Sequence, residues 1–229
     1  MTGKRRAVAL FDMDGTIVPG TLAFDLLDEL VICGACDPRQ VDSVHRTVRE
    51  VALLENGNVK AYAEYRKTVG QVGAHQMVEA ASRCWVTSQK EVLHYVPTLM
   101  GILKRFGFLL VLISGSPQEI IKIAAAHLGF DKWCGASFGS SGADDILPAV
   151  GNGKKRALEN LGLLHTIDWK NSFAIGNSHN DAELLDLVGM PLAFEPDGKL
   201  REVARVRNWI VADRHDVIAK SMLLLRRVR

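Results

Sequence analysis

Apolar positions along this chain fall into two kinds of run, and their alternation predicts the fold class. Continuous runs at 7–11, 108–113, 172–175, 191–194 and 209–211 read as strands, because a strand covered on both faces shows no polar alternation. A further run at 134–138 reads as an edge strand. Between the first two strands, apolar residues recur at three- and four-residue spacing. Helices are expected there at 21–30, 38–55, 59–69 and 74–84, the last continuing toward Glu91. Val41, Val44, Val48 and Val51 mark the inward face of the second, Asn56-Gly57-Asn58 breaks it, and Gly70 and Gly73 lead into the fourth. Later helices are expected at 97–106, 118–128, after Gly153, up to Val188 and from Val217 onward. Strands alternating with helices predict an α/β fold, a Rossmann-like parallel sheet flanked by helices. The uninterrupted helical block after the first strand predicts an inserted helical-bundle cap. Residues 1–17 and 95–229 then form the core, and 18–94 the cap.

Composition narrows the functional classes. A chain of 229 residues with 48% hydrophobic and 24% charged residues can bury one core and a smaller second unit. Its formal charge of +2 is too small to predict a nucleic-acid partner, and the basic ends Lys4-Arg5-Arg6 and Arg226-Arg227-Val228-Arg229 read as solvated. No apolar run approaches the ~18 residues of a membrane span, and no signal-like segment precedes the first strand, so a cytoplasmic protein is expected. Of the cysteines, only Cys33 and Cys36 are paired in spacing. Cys84 and Cys134 bring no neighbour at ligand spacing, so neither zinc nor redox chemistry is expected.

Candidate chemistry gathers where the apolar runs end. The first leads into Asp12-Met13-Asp14-Gly15-Thr16, two carboxylates one residue apart that repel unless a cation or a shared proton intervenes. The second ends at Ser114-Gly115-Ser116-Pro117, where the free N–H groups of a following helix favour an anion. Lys154 and Lys155 stand in the first turn of a helix, against its dipole, so one of them has another task; Lys155 reads as solvated. The fourth switch is Gly176-Asn177-Ser178-His179-Asn180-Asp181, in which His179 reads as a surface residue. Open α/β sheets bind ligands outside the carboxyl ends of their strands, where all four stretches are expected.

Asp12-Met13-Asp14-Gly15-Thr16, Ile113-Ser114-Gly115-Ser116, Gly153-Lys154 and Gly176 to Asp181, in this order, resemble the motifs of the haloacid dehalogenase superfamily of phosphohydrolases. The stretches 108–129 and 176–196 also resemble the subgroup that contains phosphoserine phosphatase. The resemblance implies a phosphatase of a small-molecule phosphomonoester that works through an aspartyl-phosphate. Asp12 would be the nucleophile and Asp14 the acid and then the base. Ser114 and the Gly115 amide would hold a phosphoryl oxygen, and Lys154 would neutralise its charge. Mg²⁺ would sit on Asp12, Asp14 and the fourth motif. That motif has Asn177 where the family commonly has aspartate, so both Asn177 and Asp181 are candidate ligands. Arg66, on the third cap helix, is a candidate for a polar or anionic part of the substrate. Transfer to a second alcohol and a degenerate binding protein stay open as alternatives. Phosphoserine is not the expected preferred substrate, because Thr21 stands where that subgroup places a glutamate, with Asp25 the nearest acid along the helix.

Overall fold

A computed structural model describes residues 6–51, 57–138, 145–150 and 152–226. Six parallel strands form one sheet in the order β3-β2-β1-β4-β5-β6: β1 (Val8–Phe11), β2 (Leu109–Pro117), β3 (Lys132–Ala136), β4 (Phe173–Gly176), β5 (Met190–Phe194) and β6 (Ile210–Ala212). The order reverses beside β1, which pairs with β2 on one side and β4 on the other and is wholly buried. A crevice forms at such a reversal because the connections leave the strands in opposite directions. Alternate residues of β1 serve opposite faces. Ala9 and Phe11 join a core with α5 (Tyr95–Arg105), α6 (Gln118–Leu128) and α10 (Val217–Leu225). Val8 and Leu10 join another with α7 (Gly153–Asn160), α8 (Ala182–Leu187) and α9 (Gly198–Arg207).

Between β1 and α5 lie α1 (Leu22–Ile32), α2 (Pro38–Val51), α3 (Gly57–Val69) and α4 (Ala74–Ser88), with no strand among the described residues of that block. Residues 52–55, expected at the end of the second helix, lie outside the described residues. Apolar side chains of α1 and α4, among them Leu26, Leu27, Ala80 and Trp85, merge with the first of the two cores. Two local expectations need correction. The second strand does not stop at Ile113 but runs through Ser114-Gly115-Ser116 to Pro117, its pairing with β3 shifting register on the way. Helix α9 was not expected; Asp197 caps it by accepting from Leu200 N at 2.7 Å, and Asn208 ends it in the left-handed region.

Ser172 shows how closely the site strand depends on its neighbours. Its fully buried hydroxyl accepts from Val8 N at 3.0 Å and donates to the Asp168 carbonyl at 2.7 Å. Ser172→Ala leaves a buried N–H without a partner and is expected to cost ~1–3 kcal/mol, measurable by urea unfolding.

Candidate active site

Asp12 is the first residue beyond β1, and its N–H still donates to the Ile175 carbonyl on β4 at 3.1 Å. The chain then curls tightly, with Ile17 N and Val18 N both donating to the Met13 carbonyl at 2.8 and 3.2 Å. Gly15 makes this curl possible for two reasons. Its φ of +80° is one that side chains disfavour, and a Cβ there would strike the carboxamide of Asn177. Asn177 Oδ1 accepts from Thr16 Oγ1 at 3.3 Å, so the first and fourth motifs lock together across the switch point.

Asp14 is held from three sides. One carboxylate oxygen accepts from Leu22 N, the free donor at the start of α1, at 2.8 Å; the other accepts from Ser114 Oγ at 2.9 Å and Ser116 Oγ at 2.8 Å. Burial raises the Asp14 pKa above the usual carboxylate range, and these hydrogen bonds only partly offset it. Ser116 was not among the expected site residues. The signal was present, since residues two apart on a strand share a face and the strand continues past Ser114.

Lys154 is 1% exposed. Its ammonium bonds Asp12 Oδ1 at 2.7 Å, the Asp181 carboxylate, and the Ile113 carbonyl at 3.4 Å. Burial pulls its pKa down, but the two carboxylates outweigh burial and hold the charge in place. Asp12 is pushed up to about 8 by burial and by the nearby Asp181 carboxylate, against the pull of Lys154. The second oxygen of Asp181 accepts from Asn177 N at 2.9 Å, Ser178 N at 2.8 Å and Ser178 Oγ at 3.1 Å. Its lone pairs are therefore turned inward. Lys155 and His179 are exposed, as read from the sequence.

A cleft of about 380 Å³ opens over these residues. Asp12, Asp14, Gly115, Lys154 and Asn177 line it, whereas Ser114 and Asp181 lie beneath its surface. Arg66 does not line it; its guanidinium pairs with Asp145 at 2.9 Å and lies 6.0 Å from the centre of the Phe138 ring. From α3, Tyr62 crosses the cleft to donate to the Gly115 carbonyl at 2.7 Å, and Asn58 donates to the Ala149 carbonyl at 2.8 Å. Gly115 admits this approach, because a Cβ would lie 2.8 Å from the Tyr62 oxygen and 2.9 Å from Ala149 Cβ. Neither α3 residue was expected at the site, since nothing local distinguishes them from helix surface.

The ordered motifs and their convergence match a known pattern. A family model for haloacid dehalogenase-like hydrolases matches residues 9–186. The chain belongs to this family. Among relatives of this haloacid dehalogenase-like hydrolase, phosphoserine phosphatase SerB2 of Mycobacterium tuberculosis is 31% identical over 208 residues, 88% of this chain and 47% of that protein. Phosphoserine phosphatase SerB1 of the same organism is 32% identical over 109 residues, 44% of this chain and 35% of that protein. The hydrolase thus spans less than half the length of these curated relatives. A protein of unknown function from Bordetella pertussis Tohama I shares the fold, with a TM-score of 0.71 at 22% identity over 92% of this chain and all of that one.

In this hydrolase Lys154 separates two buried carboxylates, and its loss exposes each to the other. Lys154→Met is expected to destabilise the protein by ~3–5 kcal/mol at neutral pH. Part of that loss returns as the pH falls, because the ammonium lowers the Asp12 pKa in the wild type, and without it the folded variant takes up a proton at higher pH than the wild type does. Urea unfolding of both proteins at neutral and mildly acidic pH checks the size and the sign.

Proposed function

We propose that the protein is an Mg²⁺-dependent phosphatase of a small-molecule phosphomonoester, with Asp12 as nucleophile. One observation carries this reading: a buried carboxylate, a buried ammonium and a second carboxyl group with raised pKa meet in one cleft at the switch point of the sheet. The relatives named as phosphoserine phosphatases support the reaction class.

Asp12 Oδ1 is engaged by Lys154, and its other oxygen accepts no hydrogen bond among the described residues. In the first step an Asp12 oxygen attacks phosphorus, the ester P–O bond breaks, and Asp14 gives its proton to the departing alcohol. In the second, Asp14 takes a proton from water as the water oxygen attacks phosphorus; the Asp12–phosphorus bond breaks and inorganic phosphate leaves. The raised pKa of Asp14 suits the first transfer. Lys154 and the Gly115 amide would offset charge on the phosphoryl oxygens, with Ser114 and Ser116 orienting Asp14. Helices α1–α4 serve as the cap.

Among the described residues no three His, Cys, Asp or Glu side chains converge as a metal cluster; the Asp181 carboxylate is turned onto Lys154, and that of Asp14 onto Leu22 N, Ser114 and Ser116. The donors that fit Mg²⁺ are all oxygens: the Asp12 carboxylate, the Asp14 backbone carbonyl and Asn177 Oδ1. When bound, the ion would supply positive charge to the phosphoryl oxygens. Asp181 supports Asn177 by holding its backbone N–H. Arg66 has no part in this reading.

Asp12→Asn is expected to lower phosphate release from an aryl phosphate with Mg²⁺ by at least ~10³-fold and to leave no phosphate covalently bound. Wild-type activity that does not depend on Mg²⁺, or undiminished turnover in Asp12→Asn, overturns the proposal. Asn177→Asp adds a charge of nearly the same shape and is expected to lower the half-saturating Mg²⁺ concentration by on the order of tenfold. Titrating activity with Mg²⁺ tests it, and an unchanged value would remove residue 177 from the ligand set.

A further inference from the structure

In the reading above the strand-end residues act on the phosphoryl group and on the ester oxygen that leaves, so the body of the leaving alcohol would meet the opposite wall of the cleft. That wall comes from α1, α2, α3 and Phe138, and its chemistry is one-sided. Phe24, Val44, Val48, Tyr65 and Phe138 present apolar surface. Tyr65 stacks on Phe138 with ring centres 6.0 Å apart, and Tyr62 meets the same ring edge-on at 6.2 Å. Among the described residues lining the cleft, Asp12, Asp14 and Lys154 are the charged ones, and none of them comes from α1–α4. Of the polar groups that α3 brings to the cleft, Tyr62 is engaged with the Gly115 carbonyl and Asn58 with the Ala149 carbonyl, while the buried Tyr65 hydroxyl has no hydrogen-bond partner among the described residues and carries no charge. Asp25, the acid nearest along the helix, is exposed and does not line the cleft.

Resting on the phosphatase reading above, we infer that the substrate is the monophosphate of an uncharged alcohol with an apolar body, aliphatic or aromatic. Among the described residues, an ammonium or a carboxylate brought against this wall loses its water and gains no partner of opposite charge, whereas a hydrocarbon body gains from leaving water. Each added methylene is expected to raise kcat/KM by ~4-fold until the cleft is filled. A charged leaving group is expected to fall at least ~100-fold below its neutral counterpart.

The test is steady-state phosphate release with Mg²⁺ from the n-alkyl monophosphates ethyl to hexyl, phenyl phosphate, phosphoethanolamine, phosphoserine and phosphoglycolate. Propyl phosphate and phosphoethanolamine form the decisive pair, because they match in shape and differ in charge. The expected result is a rise with chain length and a preference for propyl phosphate. Phosphate release in which phosphoethanolamine, phosphoserine or phosphoglycolate outruns propyl phosphate, or in which chain length has no effect, overturns this inference and leaves the phosphatase reading standing. Failure to release phosphate from any ester takes both down. Val48→Glu places a carboxylate on the α2 wall and is expected to raise the ratio of phosphoethanolamine to propyl phosphate turnover at least ~10-fold. An unchanged ratio in a variant with native circular dichroism overturns the placement of the leaving group, and the wild-type series decides the matter if the variant does not fold.

Discussion

One buried ammonium between two buried carboxylates is the constraint on which the rest of the site depends. Lys154 draws Asp12 at the end of β1 and Asp181 in the loop after β4 onto the first turn of α7, so three separate elements share one ion-pair network. Two negative charges against one positive leave an excess that water cannot solvate, and low-dielectric surroundings make such an excess costly. It is eased by protonation, as the raised pKa of Asp12 indicates, or by a further cation. Asp181, by accepting from the N–H groups of Asn177 and Ser178, passes the same constraint to the loop that presents Asn177 to the cleft. Removing Lys154 strands both carboxylates, whereas removing either carboxylate leaves a one-to-one pair, so it is the ammonium that ties the stability of the fold to the polar floor of the cleft.

Much of this was legible in the sequence because it is local. The apolar run before Asp12 announces a buried strand, and the helical spacing from Thr21 onward announces an insertion. Lys154 was conspicuous because a cation in the first turn of a helix opposes the dipole, and its two carboxylate partners are the physical reason it stands there. The inserted block and parallel sheet followed from the same periodicities, although α9 was missed, its apolar positions being few and its start marked chiefly by the Asp197 cap. What the sequence hid is what depends on pairing across the cleft. Ser116 belongs to the site because β2 continues beyond the apolar run, a continuation set by its register with β3. Arg66 looked like a substrate contact because a guanidinium on a cap helix suits one, yet its partner Asp145 lies far along the chain and no spacing rule predicts their meeting.

Asn58, Tyr62 and Arg66 stand four residues apart along α3 and so form a single row, and each reaches a different part of the core: Ala149, Gly115 and Asp145. The fastening across the cleft is therefore graded along the helix axis. Its two inner members are neutral hydrogen bonds, to which dissolved ions are nearly indifferent, while the outer member is an ion pair whose arginine is about one-third exposed and open to screening. Salt thus weakens the Arg66–Asp145 pair and leaves the contact above Gly115 in place. The contacts of the helix that shape the cleft are insulated from the ionic medium, and the one open to screening lies away from the polar floor.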